Sequence, residues 1–118
     1  ELLPCVGVAT ALGAAGGYAA DAPSVARWGW LLYGGGALRP RSVAAMINLG
    51  DDGYGRGTSA QEFGGTRGFG HNGSIDGYVS TLVVLPDAGV SIAVLANTGR
   101  GDALGAVVAR ILGIVGVE

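Results

Sequence analysis

Gly68 to Asn97, GFGHNGSIDGYVSTLVVLPDAGVSIAVLAN, is the stretch whose reading decides the fold. It holds the chain's only histidine, His71, and its two most apolar runs, Val79–Leu85 and Val90–Ala96. Both runs are rich in β-branched residues and apolar at alternate and intervening positions. That pattern suits central strands covered on both faces. Between them, Pro86-Asp87-Ala88-Gly89 has the residues of a tight turn: proline presets φ, aspartate favours the bend, and glycine accepts positive φ. So short a link implies an antiparallel hairpin. His71 then stands at the border of a rigid hairpin core.

Working outward, Leu104, Val107, Val108, Ile111, Leu112 and Val115 recur at three- and four-residue spacing after Asp102, predicting a final helix capped by Asp102 and laid on the sheet. Upstream, Asp21 is placed to cap a helix with Pro23 in its first turn. Val25, Trp28, Gly29 and Leu32 form its inward stripe, and Gly34-Gly35-Gly36 ends it. Trp28 and Trp30 read as core and helix-edge packing. Pro40 opens a second helix with Val43, Met46 and Ile47 inward, closed by Gly50. From Asp51 to Gly70 the chain is polar and glycine-rich, with short strands expected at Tyr54–Thr58 and Glu62–Thr66. Glu1 to Ala20 shows neither period and reads as an irregular entry segment. The order predicts an α+β fold, an antiparallel sheet with helices packed on it.

The chain has 118 residues, the size of one domain (1–118). With 49% apolar and 14% charged residues, disorder is excluded as an expectation. Lysine is absent, the formal net charge is −2 and the arginines do not cluster, which argues against a nucleic-acid partner. Cys5, the single cysteine, reads as a buried inert thiol. Leu2-Leu3-Pro4-Cys5 has no charged or long apolar region before it, as a lipoprotein cleavage site requires. The apolar C-terminal run contains Arg110 and is too short to span a bilayer.

Gly68-x-Gly70-x-x-Gly73 matches the dinucleotide fingerprint literally, but that motif needs a helix after its last glycine, and here a strand pattern follows. A metal site lacks ligands, since zinc takes three or four and the chain has one histidine and one cysteine. No cofactor is implied. Ser74 and Asp76 lie close to His71 in sequence, yet neighbouring strand residues point to opposite faces and cannot form a triad among themselves. On residue chemistry alone, His71 stands between a structural role and an acid–base role.

The order of features adds to this. Ala14-Ala15-Gly16-Gly17-Tyr18, the helix containing Ser24-Val25-Ala26-Arg27-Trp28, then Gly34 to Leu38, Gly53-Tyr54-Gly55-Arg56-Gly57, Gly70-His71-Asn72-Gly73, Gly77 to Ser80 and the hairpin ending at Asn97 follow one another. In order and spacing this resembles the C-terminal portion of serine β-lactamase-like proteins, the family of class C β-lactamases, D-alanyl-D-alanine carboxypeptidases and related esterases. The resemblance spans roughly residues 15 to 112, and it implies the β-lactamase/penicillin-binding transpeptidase-like fold.

In that family a Lys-Thr-Gly or His-x-Gly triplet lines the active site from a sheet strand, and His71-Asn72-Gly73 matches it. The resemblance implies that His71 sets a basic group beside the nucleophile, that Asn72 and Gly73 lie along the substrate, and that the backbone N–H of Ser74 completes an oxyanion hole. Histidine in place of lysine gives a pH-dependent charge and favours an esterase or peptidase-like relative. The family's nucleophilic Ser-x-x-Lys is impossible in a chain without lysine, and Ser24-Val25-Ala26-Arg27 ends in a residue that is a poor base. No Tyr-x-Asn occurs. Two expectations follow. In one, the chain is the C-terminal segment of a serine hydrolase for small ester, amide or peptide substrates, with its nucleophile upstream. In the other, it is a non-catalytic scaffold or binding module. Without upstream strands its sheet would have an open edge, through which a homodimer could form.

Overall fold

The computed structural model describes residues 6–63 and 65–117. Cys5, with the burial expected for it, lies outside the described residues. Four strands, β1 Ser59–Phe63, β2 Thr66–Ile75, β3 Tyr78–Leu85 and β4 Val90–Ala96, form one antiparallel sheet in the order of the chain. Helix α1 (Val6–Leu12), α2 (Ala22–Tyr33) and α3 (Pro40–Met46) precede it and α4 (Leu104–Val115) follows. The α+β expectation holds.

The hairpin of β3 and β4 forms as its sequence dictates, with Gly89 at φ 69° in the turn. Pairing Val83 with Ile92 and Leu85 with Val90 aligns one apolar face, and Val108 and Leu112 of α4 pack there. The opposite face takes α2. Gly29 is buried against Leu82 and Val84, and the Ser91 hydroxyl donates to the Ala26 carbonyl at 2.7 Å. β3 is therefore covered on both sides, as its composition predicts. β4 also carries helices on both faces, but among the described residues it has one neighbouring strand, so it is an edge and not a central strand.

Asp21 caps α2 as predicted: its Oδ1 accepts the Ser24 N–H at 2.7 Å. The Ser24 side chain, then its amide, hold the Asp21 carboxyl below the usual carboxylate range. The buried stripe is narrower than expected. Trp28 is 53% exposed and Trp30 40%, so the wide rings face outward and Gly29 makes the close contact with the sheet.

Other expectations are corrected. Residues Val6–Leu12 are helical and Gly13–Ala15 continue as a 3-10 turn, although Ala9, Ala11 and Leu12 are the only strong helix formers of that helix. Asp102 does not cap α4; it lies within a 3-10 turn, Gly101–Ala103, that leads into the helix. Leu104, Val108 and Leu112 are buried, whereas Val107 and Val115 turn outward, since the sheet takes up only one row of the helix. The strands expected at Tyr54–Thr58 and Glu62–Thr66 become a single bridge, Tyr54 to Ser59, followed by β1 and a turn with Gly65 at φ 75°.

Candidate active site

The site arises because β2 outruns β1. β1 pairs with β2 from Phe63–Thr66 only as far as Ser59–Gly70, whereas β2 continues against β3 to Ile75. Beyond Gly70, β2 thus has a strand on one side only among the described residues. Its tight turn at Asp76-Gly77 makes Ile75 and Tyr78 the flanking pair that exchanges backbone bonds, and such pairs recur at every second residue. Gly73 and His71 are then bonded to β3, while Asn72 and Ser74 turn their N–H and C=O groups toward the open side. Two contacts agree with this phase. The Asn72 carbonyl accepts from His71 Nδ1 at 2.5 Å, and the Gly70 carbonyl accepts from the Ser59 hydroxyl at 3.1 Å.

Side chains divide differently. His71 and Gly73 belong to the face of the sheet on which α2 packs, and Asn72 and Ser74 to the face of α4. Asn72 Oδ1 accepts the Thr81 hydroxyl at 2.6 Å, which ties that amide beneath the sheet. There Asn72, Ser74, Gln61 and Thr81 border a cleft of about 340 Å³ near the start of α4. His71 and Ser74 share the open edge only through the backbone of Ser74. A Cβ at Gly73 would meet the Ser80 hydroxyl, which would have to turn aside. Gly73 lies within a continuing strand, so no helix N-terminus follows it to receive a pyrophosphate.

His71 is exposed and doubly bonded. Beside its Nδ1 contact, Nε2 lies 2.8 Å from the Tyr54 hydroxyl, with the two rings edge-to-face at 79°. Sequence reasoning placed Tyr54 in a glycine-spaced motif and an expected strand, and missed this contact, for which a separation of 17 residues gives no periodic signal. Behind His71 on the same face, Phe69 stacks on Tyr33 and carries the Arg67 guanidinium 5.6 Å from its ring centre. Burial pushes the Tyr33 phenol up in pKa, opposed by its bond to Thr58. Among the described residues no cluster of three or more His, Cys, Asp or Glu side chains is placed to hold a metal ion, and no helix is long and apolar enough to cross a membrane.

No curated protein matches the chain. Two solved structures of SurE, one with D-Leu, match at a TM-score of 0.66 and 22% identity. At that identity the likeness is one of fold alone. They cover 82% and 81% of this chain but 26% and 25% of their own length, so the chain spans about a quarter of the solved structures it matches. The Beta-lactamase family model matches residues 2–115. That match takes in the whole sheet, the His71-Asn72-Gly73 strand and the helices on both faces, and the chain belongs to the Beta-lactamase family.

Proposed function

We propose that these residues form the C-terminal segment of a serine hydrolase of carboxypeptidase or esterase type, which acts on small ester, amide or peptide substrates through an acyl-enzyme. The nucleophile and its base, a Ser-x-x-Lys pair, belong to an upstream part of the same polypeptide, since this chain has no lysine. The observation that carries the proposal is the open edge of β2. Past Gly70, the Ser74 N–H points away from β3 with no strand of the described residues against it, and His71 lies earlier on the same strand with its side chain on the α2 face.

On this basis a carbonyl lying along the edge receives the Ser74 N–H, a donor fixed before the reaction starts. Such a donor acts on charge that grows in the transition state, and losing one costs on the order of 100- to 1,000-fold in rate. His71 adds positive charge when protonated. Gly73 and the Asn72 backbone line the path of the substrate. The open edge of β4 would pair with the upstream part of the polypeptide, or with a second copy when this chain is isolated.

The test is intact-mass spectrometry after treatment with a fluorophosphonate and, separately, a penicillin, on this chain and on the longest gene product that contains it. An adduct on the longer product alone is the expected result. An adduct on the 118-residue chain would place a reactive serine inside it. No adduct on either would favour the scaffold or binding module, which the absence of any lysine already keeps in view.

A further inference from the structure

Nothing in the family comparison or in the sequence motifs gives Tyr54 a role, yet the fold fastens it with unusual thoroughness. Its amide N–H donates to Asp52 Oδ1 at 3.0 Å, and its carbonyl accepts the Gly50 N–H at 2.9 Å. On either side, Gly53 at φ 74° accepts the Ala60 N–H at 2.8 Å, and Gly55 donates to the Thr58 carbonyl at 2.7 Å. Gly55 also lies so close to the Met46 carbonyl that a Cβ there would overlap it, and the Arg56 N–H reaches the same oxygen at 3.2 Å. The glycines of Gly53-Tyr54-Gly55-Arg56-Gly57 thus let the loop fold tightly between α3 and β1. Its product is a tyrosine hydroxyl 2.8 Å from His71 Nε2.

The chemistry of the two ring nitrogens then follows. A backbone carbonyl only accepts, so the bond from Nδ1 to Asn72 O requires the proton on Nδ1. In the neutral imidazole Nε2 is left as an acceptor, and the Tyr54 hydroxyl is its donor. On protonation Nε2 becomes a donor, and the same hydroxyl can rotate to accept. Tyr54 can therefore satisfy both charge states without the ring moving.

We infer that Tyr54 is a positioning residue for His71: with the Asn72 carbonyl fixing the proton on Nδ1, the Tyr54 hydroxyl partners Nε2 in either charge state and holds one ring orientation through protonation. Its consequence for catalysis rests on the acyl-transfer proposal above, but the positioning does not. Because His71 is the only histidine, long-range proton–nitrogen correlation spectra of the isotopically labelled chain report it without ambiguity.

With the imidazole neutral, Nδ1 should carry the proton and Nε2 should show the shift of an unprotonated nitrogen. In Tyr54→Phe, which keeps the ring and the loop, Nε2 loses its hydrogen-bond donor, so its shift should move further from that of a protonated nitrogen while Nδ1 keeps its proton on the Asn72 carbonyl. A neutral ring with its proton on Nε2 overturns the inference, and the unsubstituted chain alone decides that point. Tyr54→Phe spectra identical to the parent's at His71 would also overturn it. In a gene product that acylates, the same substitution should lower kcat about 10-fold with KM little changed, the cost of a modest misplacement of a catalytic group. If the tautomer is as expected and no gene product acylates, the acyl-transfer proposal fails and the positioning of His71 stands.

Discussion

Gly70 of β2 lies so close to the Leu82 carbonyl of β3 that a Cβ at residue 70 would overlap that oxygen. The obstacle is backbone, which cannot swing aside as the tip of a side chain can. Gly70→Ala must therefore part the two strands next to His71, or twist β2 out of register. Overpacking typically costs about 1–3 kcal/mol, and a rigid neighbour puts this substitution near the upper end. Urea denaturation should show a loss of about 3 kcal/mol. A loss below about 1 kcal/mol would mean that the strands separate easily and that the glycine is not a packing requirement.

Thr58 is fully buried, and its hydroxyl meets the Tyr33 hydroxyl at 3.1 Å, joining the end of α2 to the loop before β1. Tyr33→Phe leaves the threonine hydroxyl without that partner, which should cost about 1–2 kcal/mol. Adding Thr58→Val removes the stranded group and should recover part of the loss, so the double-mutant cycle gives a favourable coupling. Strictly additive effects would show that water or another group replaces the bond. Burial raises the Tyr33 pKa above its unfolded value, so its contribution is complete below the unfolded pKa and is lost as pH rises through the folded one. Tyr33→Phe should abolish that alkaline component.

Legibility in the sequence followed how local the deciding contacts are. The β3–β4 hairpin declares itself, because β-branched runs either side of Pro86-Asp87-Ala88-Gly89 leave few other structures open to it. Helix α2 is legible from Asp21 for a similar local reason. The triplet His71-Asn72-Gly73 was visible by resemblance, and the strand it predicts is present. The partner of His71 was not visible, because Tyr54 reaches it through a loop whose path depends on Gly55 meeting a carbonyl of α3. The outward turn of Trp28 was hidden for the opposite reason: an apolar period fits two adjacent faces, and the sheet admits the one bearing Gly29.

The cap of α2 should be pH-dependent in a definite direction. Hydrogen bonds from Ser24, the side chain first and then the amide, lower the Asp21 pKa in the folded chain. A depressed carboxyl contributes stability that is complete above its unfolded pKa and lost as pH falls through the folded one. Asp21→Ala should therefore lower Tm at neutral pH, with the gap to the parent narrowing on acidification below the ordinary carboxylate range. Asp21→Asn keeps a capping oxygen and should retain most of the neutral-pH stability without the pH dependence. A gap between parent and Asp21→Ala that stays constant into strong acid would show that the carboxylate charge is not what caps the helix.

His71 is exposed and packs into no core, so its removal should separate function from folding. In a gene product that acylates, His71→Ala should reduce kcat/KM on the order of 100-fold, comparable to losing one electrostatic donor, while leaving Tm nearly unchanged. His71→Lys is the more discriminating variant. Lysine is the residue of the alternative family triplet and keeps its charge across the neutral range, whereas histidine changes charge between pH 5 and 8. If positive charge at position 71 is what the reaction uses, the lysine variant should retain activity and flatten the profile of kcat/KM over pH 5 to 8. If instead the imidazole is needed as an acid or base, lysine should be as inactive as alanine. A parent enzyme whose kcat/KM is unchanged by His71→Ala would remove His71 from the mechanism.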